Sequence, residues 1–201
     1  MTASSAFSGT RTTTPTAPST PSAHARSSSP AAEPAQIAAA PAPISAGVVR
    51  AMPNTPALIG AGAAAICAGS AASDEDLAWA EEVLGSVGVV VRVPEKALDA
   101  VTGLSGSGPA YVFLVAEALA EAGVLNGLPR ATAETLAFQT LLGAARLLAE
   151  ADDGPAALRA AVTSPGGTTA AGLRALESHG VRAAFLDAVT AATERSRELG
   201  G

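Results

Sequence analysis

The chain has 201 residues, 48% apolar and 15% charged, enough apolar material for a substantial core and too much for a wholly disordered polymer. Twelve Lys and Arg against 18 Asp and Glu leave a formal charge of −6, which argues against nucleic acid as a partner. Cys67 alone forms no internal disulfide, His24 and His179 make no cluster with zinc-ligand spacing, and a 3% aromatic share leaves little for stacking platforms.

Residues 1–43 are Ser, Thr, Pro and Ala with almost no large apolar side chain, and they read as a low-complexity disordered tail. Removing Arg11, Arg26 and Glu33 leaves −7 on the remainder, as suits a soluble, cytoplasmic protein in a reducing compartment. The Ser-rich, acid-poor start also admits an organelle transit segment, but it has no apolar run for a secretory signal. The uncharged stretch Ala51 to Ser73 has spanning length, yet Pro53, Pro56 and its glycines disqualify it as a membrane helix.

Val48 to Met52 reads as a short strand ended by the Pro53-Asn54-Thr55-Pro56 turn, and Ala63 to Cys67 as a second strand. Ser73 followed by Asp74, Glu75 and Asp76 is a capped helix start with acids at the positive end of the dipole. Val89 to Val93 reads as a buried strand, so strand, strand, helix and strand look like the last portion of a parallel α/β sheet. Beyond Pro94 the texture is helical. Two long helices are expected behind Pro109 and Pro129, and shorter ones over Pro155 to Val162, Thr169 to His179 and Val181 to Leu199, with Gly180 as the last break. The fold class is therefore mainly α: a disordered tail (1–43), a small α/β remnant (44–97) and a helical domain (98–201). Its core must be built from small side chains.

Two segments carry chemistry. Leu104 to Tyr111, with Ser105, Gly106, Ser107 and Gly108, is a glycine-rich turn feeding a helix amino terminus, either an anion-binding turn or a plain cap. Val162 to Thr169 sets Gly166, Gly167 and several hydroxyls before a helix, where amides can bind a carboxylate and Thr168 and Thr169 can cap. A Ser105, His179 and Asp99 triad can be written on paper, but no spacing orients it. Cys67 reads as buried filler, His179 as a helix end, and Asp152 with Asp153 as a solvated loop.

The blocks Arg50 to Pro56 (RAMPNTP), Leu98 to Val112 (LDAVTGLSGSGPAYV), Gly127 to Arg130 (GLPR), Gln139 to Ala145 (QTLLGAA) and Thr163 to Thr169 (TSPGGTT) resemble pyrroline-5-carboxylate reductases, in that family's order and spacing. The resemblance runs from about Val48 to Leu199. It implies a Rossmann cofactor domain, an interlocked helical dimerisation domain, and NADPH- or NADH-dependent reduction of 1-pyrroline-5-carboxylate to L-proline. It further implies that Val162, Ser164, Gly166, Gly167, Thr168 and Thr169 cradle the substrate, with the catalytic Thr169 hydroxyl at the ring nitrogen. Met52, Pro53, Asn54 and Thr55 would lie near the nicotinamide, and Ser105, Gly106, Ser107 and Gly108 would wall the site from across the dimer interface. The implied partners are a second copy, as a homodimer or ring of dimers, with no nucleic acid and no membrane.

That family's cofactor half opens with a strand and a Gly-x-Gly-x-x-Gly turn. Before Val48 only the tail is available, and Gly60-Ala61-Gly62 with Ala65 reads as a chance match because no strand precedes it and no ribose-binding acid follows. Most of the dinucleotide site is thus expected to be missing from this chain. Two functions follow, a reductase with weakened cofactor affinity or a non-catalytic dimerisation module. An exposed sheet remnant predicts poor solubility of the isolated chain.

Overall fold

The computed structural model describes residues 47–200, so the expected tail 1–43 lies outside the described residues. Strand β1 (Val49–Met52) leads through a 3-10 turn (Thr55–Ile59) to β2 (Gly62–Ala68), helix α1 (Asp74–Gly85) and β3 (Gly88–Arg92). A second 3-10 turn (Glu95–Ala97), the single turn α2 (Leu98–Val101) and a π-turn (Thr102–Gly106) precede α3 (Gly108–Leu125). Helices α4 (Arg130–Glu150), α5 (Pro155–Ala161), α6 (Thr168–Ser178) and α7 (Val181–Gly200) complete the described chain.

The sheet has the order β1-β2-β3. It is mixed rather than parallel as expected: β1 runs antiparallel to β2, pairing Val49 with Ala68 and Met52 with Ala65, while β2 and β3 are parallel. The connection after β1 holds no crossover helix, so the chain turns back on itself. Between β2 and β3 the crossover is α1. Ser73 caps that helix with a reciprocal box: the Asp76 amide donates to Ser73 Oγ at 3.1 Å, and the Ser73 amide donates to Asp76 Oδ2 at 2.8 Å.

Strand β2 is buried on both faces, which explains its uninterrupted apolar run. Ala65 and Cys67 pack with Leu98, Met52, Val93 and Val101 on one face, and Ile66 packs with Leu77, Ala80, Val49, Leu84 and Val90 on the other. The expectation of a buried third strand is corrected. Val89 is 69% exposed and Val91 is also exposed, both on β3 at the edge of the sheet.

Helices α3 and α4 fold back on one another across a short turn in which Gly127 has a φ of 94°. Ala120, Ala133 and Ala137 are buried there, and a Cβ placed on Gly123 would lie 2.9 Å from that of Ala133. Small side chains thus fill the helical core as expected, because they let the helix axes approach. The stretch Glu95–Leu125 is long and apolar enough to cross a membrane by length and composition alone. One such helix does not by itself establish a membrane span.

Candidate active site

The glycine-rich segment Leu104 to Pro109 is not the open turn read from the sequence. It is a π-turn that runs almost without interruption from α2 into α3, and its amides are partly engaged: Ser107 N–H donates to the Thr102 carbonyl at 2.8 Å and Ala110 N–H to the Ser107 carbonyl at 3.0 Å. An anion-binding amino terminus is therefore not what this sequence builds here. The π-turn is instead held from three sides. Gly103 is buried against α7, where a Cβ would collide with Thr193 Oγ1 and lie 2.8 Å from the Val189 carbonyl. Tyr111 Oη donates to the Gly103 carbonyl at 3.2 Å, and Ser196 Oγ donates to Asp99 Oδ1 at 2.7 Å. On the third side lies the end of β1: Asn54 Nδ2 donates to the Ser105 carbonyl at 3.1 Å, and Gly106 sits against the Met52 methyl.

The structure thus brings Met52, Asn54, Ser105 and Gly106 together within one chain. Pro53 and Thr55 flank this cluster in the turn after β1, and Ser107 and Gly108 follow it into α3.

The second cluster is the loop between α5 and α6. Val162 ends α5, Thr163 N–H and Oγ1 bond back to the Ala160 and Arg159 carbonyls, and Gly167 N–H donates to the Ser164 carbonyl at 3.1 Å. Gly166 takes a φ of 71°, the left-handed conformation glycine tolerates without strain. The expected capping by Thr168 or Thr169 is corrected: both lie inside the first turn of α6, the N-cap is Gly167, and no side chain caps the helix. The helical ladder begins with Ala171 N–H on the Gly167 carbonyl. The amides of Thr168, Thr169 and Ala170 precede that bond, at the positive end of the helix dipole. Thr169 is half-buried and Ser164 exposed.

Among the described residues no hydrogen bond joins this loop to the Met52 and Ser105 cluster, and α6 packs chiefly on α7. The paper triad dissolves: Ser105 Oγ donates to the Val101 carbonyl and Asp99 accepts from Ser196. His179 ends α6, Gly180 breaks the chain with a φ of 70°, and Asp152 and Asp153 are exposed. Cys67 is buried, and burial, aided by Glu95, pushes its thiol above the usual range, away from a nucleophile's thiolate. Gly60-Ala61-Gly62 ends a 3-10 turn and opens β2, so it feeds a strand and not the helix a dinucleotide turn requires. Among the described residues no three His, Cys, Asp or Glu side chains gather as a metal site. Sequence reasoning missed Thr193, Tyr111 and Ser196 as supports of the π-turn. Asp99 and Ser196 are 97 positions apart, and no spacing signal spans such a distance.

The family profile described as pyrroline-5-carboxylate reductase dimerisation matches residues 95–199. A pyrroline-5-carboxylate reductase from Synechocystis is 56% identical over 153 residues, 76% of this chain and 57% of that protein. One from Arabidopsis thaliana is 52% identical over 151 residues, 75% of this chain and 55% of that protein. Among solved structures, a pyrroline-5-carboxylate reductase from Coxiella burnetii superposes with a TM-score of 0.74 at 45% identity, covering 76% of this chain and 57% of that one. The Plasmodium falciparum pyrroline carboxylate reductase, solved with NADP bound, gives 0.71 at 37% identity, covering 76% and 63%. The chain therefore spans little more than half the length of the curated relatives it matches. With the family profile matched over residues 95–199, 56% identity to a curated reductase and a shared fold, it belongs to the pyrroline-5-carboxylate reductase family.

Proposed function

We propose that this chain supplies the substrate loop and dimerisation half of a reductase that converts 1-pyrroline-5-carboxylate to L-proline with NADPH or NADH. The observation that carries the reading is the start of α6, where Gly166 and Gly167 turn the chain and three amides stand without a side-chain cap. Such a terminus suits a carboxylate. In this reading the amides of Thr168, Thr169 and Ala170 hold the substrate carboxylate, and Val162, Ser164, Gly166 and Gly167 shape the loop around it. Thr169 Oγ1 accepts a hydrogen bond from the protonated ring nitrogen and so favours the iminium form.

The reduced nicotinamide, when bound, supplies the hydride that adds to the iminium carbon, while the nitrogen keeps its proton. The chain's task is to hold carboxylate and ring in line. Met52, Pro53, Asn54 and Thr55, with Ser105, Gly106, Ser107 and Gly108, fit the nicotinamide end of the cofactor. Nothing among the described residues fits its phosphates. The reading includes a cofactor-side segment (44–97), a helical segment (98–201), a homodimer or ring of dimers, and a cytoplasmic location without membrane or nucleic-acid partners.

A second reading, a non-catalytic dimerisation module, is favoured by the lack of a dinucleotide turn among the described residues. Oxidation of NADPH by the purified chain with 1-pyrroline-5-carboxylate separates the two. The reductase reading expects turnover that falls about a hundredfold in Thr169→Ala, the scale of one positioned proton-handling group. No turnover from a folded dimer selects the dimerisation module.

A further inference from the structure

The side chain of Asn54 is committed elsewhere than its position predicts. It stands at the N-cap of the 3-10 turn Thr55–Ile59, with extended backbone (φ −123°, ψ 167°), where an Asn carboxamide ordinarily accepts from the next turn's amides. It makes no such cap. Its Oδ1 accepts the Ala63 amide at 2.8 Å, and its Nδ2 donates to the Ser105 carbonyl at 3.1 Å, both in partly buried surroundings.

The Ser105 carbonyl needs a donor for a reason written in the sequence. Its α-helical partner would be the N–H of residue 109, which is Pro109 and has none. The next amide along, that of Ala110, is taken by the Ser107 carbonyl. A carbonyl withdrawn even in part from water and left without a donor is destabilising, so this is a vacancy the fold has reason to fill. Gly106, beside it, leaves room for the Met52 methyl, where a Cβ would approach to 2.7 Å.

We infer that Asn54, though placed beside the nicotinamide end, acts as a positioning residue and not by bonding the cofactor: by donating to the carbonyl that Pro109 orphans, it locks the π-turn onto the end of β1 and sets Gly106 against Met52. The placement of these residues at the nicotinamide rests on the reading above; the lock itself does not. Asn54→Asp separates the two bonds, since a carboxylate still accepts from Ala63 and cannot donate to Ser105. Asn54→Ser, too short to span both, is the second variant.

The experiment is hydrogen exchange by mass spectrometry on the full chain, with and without NADPH, using peptides over Ala120–Ala137 to report an intact fold. In Asn54→Asp, exchange over Thr102–Ser107 is expected to rise about five- to tenfold, the weight of one hydrogen bond, with Gly62–Ala68 unchanged. Asn54→Ser is expected to raise both. Adding Pro109→Ala to Asn54→Asp returns an N–H to position 109 and is expected to restore the slower exchange. Unchanged exchange over Thr102–Ser107 in Asn54→Asp, or no restoration by Pro109→Ala, overturns the lock. Loss of NADPH protection with wild-type exchange in Asn54→Asp also overturns it and makes Asn54 a direct ligand. If the exchange pattern holds but NADPH protects nothing in the wild-type chain, the lock stands and the cofactor reading falls.

Discussion

Gly103 shows how one missing side chain lets two distant segments touch. In a helical turn, Ala is ordinarily about 1 kcal/mol better than Gly, so the exchange would stabilise an exposed turn. Here the added Cβ meets Thr193 Oγ1 and the Val189 carbonyl. Thr193 is buried and its hydroxyl is bonded back to Val189 at 2.7 Å, so the side chain has little freedom to yield. Overpacking of this kind costs about 1–3 kcal/mol, which outweighs the propensity gain. Gly103→Ala is therefore expected to lower stability in urea denaturation at fixed protein concentration, with Thr193→Ala recovering part of the loss. A stabilised Gly103→Ala would mean that α7 does not press on the π-turn.

At the scale of elements, α1 illustrates local chemistry that decides a boundary. The Ser73 amide and hydroxyl both donate to Asp76, and these bonds hold the Asp76 carboxyl below its usual range. A carboxyl whose pKa is lower folded than unfolded contributes fully above the unfolded value of about 3.9 and loses that contribution as pH falls through the folded value. Asp76→Ala should thus lower the thermal midpoint at pH 7, and the gap to wild type should narrow below about pH 4. A gap of constant size across that range would show that the ionised carboxyl adds nothing to the cap. Most elements were legible because each carries its own signal, a cap at Ser73, a break at Gly180, an uninterrupted apolar run in β2. The π-turn was not, because Leu104 to Pro109 has the composition of a loop and only its contacts with Met52, Asn54, Tyr111 and Thr193 make it helical.

For the whole molecule the informative feature is what a single chain leaves uncovered. Phe113, Leu114, Phe138, Leu142 and Leu186 are exposed on α3, α4 and α7, so the helical half carries more apolar surface than its small Ala and Gly contacts consume. A second copy is the occupant the family profile favours. Light scattering is expected to return a dimeric mass, and the thermal midpoint should rise with protein concentration, since association stabilises by mass action. A monomeric mass with a concentration-independent midpoint would remove that expectation. The loop between α5 and α6 follows the same logic: its glycines and hydroxyls were readable, but no hydrogen bond among the described residues carries it to the Met52 and Ser105 cluster.

Periodicity, caps and glycine placement are local, so the sequence by itself determined the helices, the strands, the two glycine-bearing segments and the family likeness. Strand direction, the exposure of β3, the π-turn and the service of the Ser105 carbonyl by Asn54 were decided only in three dimensions. Each depends on groups brought together from separate parts of the chain, and a side chain's spacing along the sequence carries no information about which distant carbonyl it will reach.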